Sequence, residues 1–144
     1  MVNNGARNIS RFPEPVPDAA LTGNHRAIAS TPIYDPEEVL ALAQVEKAMF
    51  WTRGARSDAT KWSLDISDIS ELIAAAVQGG RFQGAQWCQQ SPDGPWAACD
   101  SWSVTRSEWI ENAGKYINTT YYLKFAISRT GAVLLIVSNH PEHT

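Results

Sequence analysis

The spacing of apolar residues changes once along this chain, and that change restricts the fold more than any other feature. Ahead of Gly79 and Gly80 the apolar residues recur at helical intervals. From Arg81 onward they alternate or run together, as in strands. Helices first and hairpin-connected strands afterwards define an α+β protein, with two or three N-terminal helices packed on a C-terminal antiparallel sheet.

The helical half opens at Tyr34. Asp35-Pro36-Glu37-Glu38 reads as an N-cap, a proline at the first helical position and a glutamate at the third, the pattern of a capping box. Val39, Leu40, Leu42, Ala43, Met49 and Phe50 then supply an apolar face, which predicts a helix running to about Trp51, ahead of Gly54. A short helix is expected over 57–62 with Ser57 as its cap. Another is expected over 65–77, its start capped by Asp68 with Glu71 or by Ser67 with Asp68. Ile66, Ile69, Leu72, Ile73, Ala76 and Val77 form its buried stripe, and the glycine pair stops it.

Strands are expected over 82–90 and 96–105, joined by the turn Ser91-Pro92-Asp93-Gly94-Pro95. Residues 106–118 fit neither period. Residues 119–128 are rich in β-branched and aromatic side chains, and Arg129-Thr130-Gly131 turns the chain into 132–139. That last run is apolar on both faces, so a central or well-covered strand is expected. Residues 1–33 carry Pro13, Pro15, Pro17 and Pro32 and follow no period, which reads as a flexible or loosely docked arm. Residues 34–144 then form a single domain.

Composition narrows the function classes. The 144 residues suit one domain with a real core, and 44% apolar with 19% charged residues is globular. The longest apolar run, 132–137, is far shorter than the ~20 residues that cross a bilayer. The first dozen residues contain no signal-like apolar stretch, so a cytoplasmic protein without a membrane partner is expected. Two cysteines, Cys88 and Cys99, do not make a disulfide scaffold and read as reduced thiols. Twelve Lys and Arg against fifteen Asp and Glu give a net charge of −3, without the bulk positive charge of most nucleic-acid binders.

No metal or cofactor is expected. His25, His140 and His143 and the two cysteines do not match a ligand pattern, and phosphate-cradling glycine loops and hydrolase elbows are lacking in the sequence. Cys99 would be a nucleophile only beside a base; as a lone strand cysteine it reads as a small buried hydrophobe. Two other features bear on function. Lys47, Arg53, Arg56 and Lys61 share a fifteen-residue stretch with one acid, Asp58. They form either a phosphate-holding patch or an ordinary solvated helix end. Trp87, Trp96, Trp102, Trp109, Tyr116, Tyr121 and Tyr122 crowd the strand half, with Arg81, Arg106, Lys115, Lys124 and Arg129 nearby. Core packing must account for most of these aromatics, and one or two could stack unpaired RNA bases.

Several of these segments together resemble the MqsR family of toxin–antitoxin endoribonucleases, whose fold is RelE-like. Tyr34-Asp-Pro-Glu-Glu-Val-Leu-Ala-Leu-Ala is similar to the family's first helix, and Arg53-Gly-Ala-Arg56-Ser57 to its Arg-x-x-Arg-Ser segment. Leu64-Asp65-Ile66-Ser67-Asp68-Ile69 resembles the entry to its next helix. Tyr121-Tyr122-Leu123-Lys124-Phe125, a turn and Val133 to Ser138 resemble its closing hairpin, and Cys99-Asp100-Ser101-Trp102 its Gln-Asp-apolar-Tyr. The resemblance implies metal-independent cleavage of single-stranded mRNA and a cognate antitoxin or other protein partner. A base takes the ribose 2′-OH proton, cations steady the phosphorane, and an acid protonates the departing 5′-oxygen. Tyr122 matches the family's strand tyrosine. Three further family positions, two lysines and a glutamine, hold Gln83, Asn139 and Cys99 here. The expected site is therefore Tyr122 and His140 for acid–base work, His being suited to it at neutral pH. Lys124 and Arg129 would contact phosphate, and Arg53, Arg56, Arg81, Gln83 and Trp102 would hold RNA. The alternative is a non-catalytic interaction protein on the same scaffold, binding a partner protein or RNA through an apolar-aromatic sheet face and the proline-rich arm.

Overall fold

A computed structural model describes residues 7–23 and 25–142. In chain order the elements are α1 (Asp18–Leu21), β1 (Ala27–Ala29), α2 (Pro36–Gln44), β2 (Ala48–Phe50), α3 (Arg53–Lys61) and α4 (Ile66–Gly79). Four longer strands follow: β3 (Arg81–Gln89), β4 (Trp96–Ile110), β5 (Lys115–Ile127) and β6 (Leu134–Pro141). The described residues are thus α+β, with one six-stranded sheet in the order β1-β3-β4-β5-β6-β2. Every neighbouring pair is antiparallel except β2 with β6. No helix among the described residues is long and apolar enough to cross a membrane.

α4 forms as its sequence pattern requires, but on a different cap. The Asp65 side chain accepts from the Asp68 N–H (2.9 Å) and the Asp68 side chain from the Asp65 N–H (3.0 Å), a complete capping box. Its buried stripe is Ile69, Leu72, Ile73 and Ala76. At α2 the Asp35 carboxylate accepts from the Glu37 N–H at 3.0 Å. That helix ends at Gln44, not near Trp51, because Ala48, Met49 and Phe50 pair with Leu134, Leu135 and Ile136 as the edge strand β2. The exposed edge of β6 needed backbone partners, and this requirement overrides helical spacing. α3 starts at Arg53 rather than Ser57: Thr52 Oγ1 accepts from the Ala55 N–H and donates to the Val137 carbonyl, so one hydroxyl caps the helix and ties it to β6. Residues 106–118 are the far part of a long β4–β5 hairpin, turning through Gly114 at φ 61°.

β6 lies between β5 and β2, the covered position its apolar run implies. The main core gathers Val39, Ala43, Leu72, Ile73, Trp102, Leu123, Phe125 and Ile136 between sheet and helices. A second cluster, Trp87, Trp96, Ala98 and Ala20, is covered by Phe12, Val16, Ile28 and Ile33.

The described residues of the N-terminal arm, which reads as flexible or loosely docked, lie against the sheet. β4 pairs with β5 only from Asp100 onward, so the backbone groups of Trp96 and Ile127 that face the gap between the two strands have no partner across it. The arm fills that split: the Ile9 N–H donates to the Trp96 carbonyl, Trp96 N–H to Arg7, Arg11 N–H to Ile127 and Arg129 N–H to Ile9. Buried Ser10 Oγ accepts from the Ala98 N–H at 3.0 Å. These are backbone bonds, which leave no periodic signature in side chains.

Asp100, on β4, fastens the junction between the arm and α2 to the sheet. Its buried carboxylate accepts from the Ile33 N–H (3.1 and 3.2 Å) and the Tyr34 N–H (3.1 Å). Burial raises its pKa to about 6, with these two donors pulling the other way. Between pH ~4 and ~6 the folded chain therefore holds a proton that the unfolded chain has lost, so this group's contribution to stability falls as pH rises. Wild type should lose about 2 kcal/mol from this source between pH 4.5 and 7. In urea unfolding, the stability difference between wild type and Asp100→Asn should shift by that amount across the window; a constant difference would refute it.

Candidate functional site

Directly opposed residues in a sheet share a face, and the register of four strands assembles one polar row. Arg81 on β3 opposes Ser103 on β4, Ser103 opposes Tyr122 on β5, and Tyr122 opposes His140 on β6. The next row holds Gly84, Ser101, Lys124 and Ser138. The intervening residues Trp102, Leu123 and Asn139 point to the helices, where the Asn139 side chain donates to the Ala55 carbonyl at 3.2 Å.

Side-chain geometry agrees with the register. The Tyr122 hydroxyl donates to Ser101 Oγ at 3.0 Å, the Tyr122 and His140 rings lie 5.5 Å apart, and Lys124 Nζ sits 5.8 Å from the Tyr122 ring centre. Nδ1 of His140 lies 3.0 Å from the Pro141 carbonyl oxygen, which only accepts. The neutral ring then carries its proton on Nδ1 and leaves the Nε2 lone pair free. Gln83 donates to Ser103 Oγ at 2.9 Å from a bulge between Phe82 and Gly84. Gly84 sits there at φ 138°, a conformation that side chains oppose. Gly80 sets the entry to β3: a Cβ there would fall 2.4 Å from the Ser103 carbonyl oxygen, so only glycine brings the end of α4 this close to the row.

Tyr122, Ser101, Gln83 and Gln86 line a cleft of about 510 Å³ whose other wall is His25 with residues 27–30. His25, Ser101 and Gln86 were not among the expected site residues. Ser101 meets Tyr122 through the β4–β5 pairing, whereas His25 reaches the cleft because β1 pairs with β3, and β1 lies in the segment that reads as a tail.

Four of the expected site residues form the rows: Tyr122, His140, Lys124 and Arg81, with Gln83 bonded beside them. The others do not join. Arg129 lies beyond the far end of β5, roughly 20 Å from Tyr122 at ~3.3 Å per residue, and its guanidinium donates to the Asn8 carbonyl. Arg53 lines a separate cleft of about 480 Å³ with Trp51, Gly54, Gln90, Ser91 and Pro92, and Arg56 is exposed on α3. Lys61, in the last turn of α3, lies over the Trp62 ring, which suits a solvated helix end. The arginines behind the opening helix and the hairpin tyrosine therefore do not share one hollow.

Trp102 is also corrected. It is 9% exposed, packs edge-on against Phe82 at 5.4 Å and belongs to the core, so it offers no face to RNA. Trp87 and Trp96 are buried, and Tyr121 is buried with its hydroxyl donating to Glu108 at 2.6 Å. Cys99 is fully enclosed, and burial pushes its thiol up and keeps it protonated. Cys99 and Asn139 are thus core residues at positions where the family resemblance places site residues.

Among the described residues no group of three or more His, Cys, Asp or Glu is placed to hold a metal ion; His143 lies outside them. No protein-family model, curated protein or solved structure matches this chain, so function has to be read from the site itself.

Proposed function

We propose that this protein is an endoribonuclease that cuts single-stranded RNA by metal-independent acid–base chemistry, in the manner of the MqsR-like, RelE-type toxins its sequence resembles. The observation that carries the reading is the meeting of Tyr122, His140 and Lys124 on one open sheet face, with Arg81 in the same row. His140 Nε2 takes the proton from a ribose 2′-OH. Tyr122, on the adjacent strand, protonates the departing 5′-oxygen. Lys124 and Arg81 hold the scissile phosphate and steady the charge that grows on it. Arg81 thus takes the part that Arg129 is too distant to play. With mRNA as the substrate, this reading implies action in the cytoplasm and a protein antitoxin as partner.

The test is incubation of the purified protein with single-stranded RNA in excess chelator. Cleavage is expected, with 2′,3′-cyclic phosphate ends, and a single 2′-deoxy substitution at the cut position should stop it. Cutting that needs added metal, or that ignores the 2′-deoxy change, would overturn the mechanism.

One observation favours the non-catalytic alternative. Met49 is 45% exposed on the edge strand β2, and Val45 is 63% exposed just before it. Such an edge can accept another chain by strand addition. Under this alternative the protein binds a partner and leaves RNA intact.

A further inference from the structure

The face that carries Tyr122 and Lys124 does not end at the catalytic row. Outward along the β4–β5 hairpin the register continues without a shift: Thr105 opposes Thr120, Ser107 opposes Asn118, and Trp109 opposes Tyr116. The two threonine hydroxyls lie 2.6 Å apart, and the Trp109 and Tyr116 rings meet edge to face at 5.2 Å. Both rings are open to solvent, Trp109 by 50% and Tyr116 by 68%. The four other large aromatics expected as stacking candidates beside Tyr122 are buried, so the exposed pair is not a by-product of core packing.

We propose that Trp109 and Tyr116 form a base-stacking platform for the same single-stranded RNA that crosses the catalytic row. Three observations select RNA as the occupant. The strip is continuous with the proposed catalytic face, on the same two strands. Its side chains between the two points are hydroxyls and an amide, and the hairpin's Glu108 points to the other face, where it accepts from Tyr121 and pairs with Arg106. On β4 and β5 the strip between the two points carries no carboxylate; Glu142, whose N–H donates to the Thr120 carbonyl, borders it just past the end of β6. Finally, an edge-to-face pair leaves a free π face, on which any base can stack without sequence readout. Tyr116 lies six positions before Tyr122 on β5, a span of about 20 Å. That matches the rise of about six stacked nucleotides at ~3.4 Å each.

This platform rests on the proposed nuclease reading, and the experiment separates the two. Binding of a non-cleavable 2′-O-methyl oligonucleotide of roughly a dozen residues is measured by anisotropy, beside cleavage of the matching RNA and of a dinucleotide too short to reach the hairpin. Trp109→Ala with Tyr116→Ala should weaken long-oligonucleotide binding by about 5- to 100-fold, raise KM for long RNA, and leave dinucleotide cleavage unchanged. Trp109→Phe should restore most of the binding. Both rings are exposed, so the double variant is expected to fold, checked by circular dichroism. If wild type cleaves but the double variant binds long RNA as wild type does, the platform is refuted and the nuclease stands. Length-dependent binding that needs the two rings, without any cleavage, supports the platform and removes the nuclease. Unaltered RNA binding with lost self-association in sedimentation assigns the rings to a contact between copies, and refutes the proposal.

Discussion

His140→Ala is expected to slow single-stranded RNA cleavage by about 10²- to 10⁴-fold, and Tyr122→Phe by a similar factor, the range for removing one acid or base from a phosphoryl-transfer step. Neither change should disturb folding. Both side chains are half-buried on the open face, and His140 contributes no bond to the helical layer. Single-turnover rates in chelator are the measurement, with thermal unfolding as the control. The double variant should lose little beyond the larger single loss, because acid and base act in one concerted event. Cutting that persists in both single variants would remove the assignment. Lys124→Ala and Arg81→Ala should slow cleavage and also weaken RNA binding and flatten its salt dependence, since each neutralises phosphate.

Trp102→Ala is the second large effect, and it acts on stability. The ring is buried against Phe82 within the core that includes Leu123 and Phe125, so truncation leaves a cavity under α4 and β4. A cost of about 3–5 kcal/mol is expected in urea unfolding. Trp109→Ala, on the same strand but half-exposed, should stay within about 0.5 kcal/mol of wild type. Equal costs at the two positions would contradict the packing described here. Trp102 also shows why a strand tryptophan cannot be assigned to RNA by type alone: adjacent strand residues point to opposite faces, and Trp102 falls on the helix side while Ser101 and Ser103 face the site.

Some elements were readable before any fold was known. The stripe Ile69, Leu72, Ile73, Ala76 ending at the glycine pair is a local pattern, and α4 follows it. The closing hairpin was similarly legible from Tyr121 to Asn139, because alternation and the turn at Arg129-Thr130-Gly131 are short-range signals. β2 was not. Met49 and Phe50 keep helical spacing with Val39 and Leu42, yet the backbone demand of the β6 edge, more than eighty residues away, takes them out of the helix. Where the arm docks was not legible for the same reason: its partners are backbone groups in a split between β4 and β5 that exists only once those strands diverge.

The site divides in the same way. That Tyr122 and Lys124 share a face follows from their spacing of two on a strand, and the sequence alone establishes it. The sequence also determined the α+β class, the helix that ends at the glycine pair and the tyrosine-bearing hairpin. Only the tertiary structure decided that Arg81 and His140 stand in the tyrosine's row, that Arg129, Arg53 and Arg56 lie elsewhere, and that His25 lines the cleft. The physical reason is register. Periodicity states which face of its own element a residue occupies, whereas cross-strand pairing, set by bulges at Gly84 and beside Lys124 and by the inserted arm, states which residues of different elements meet.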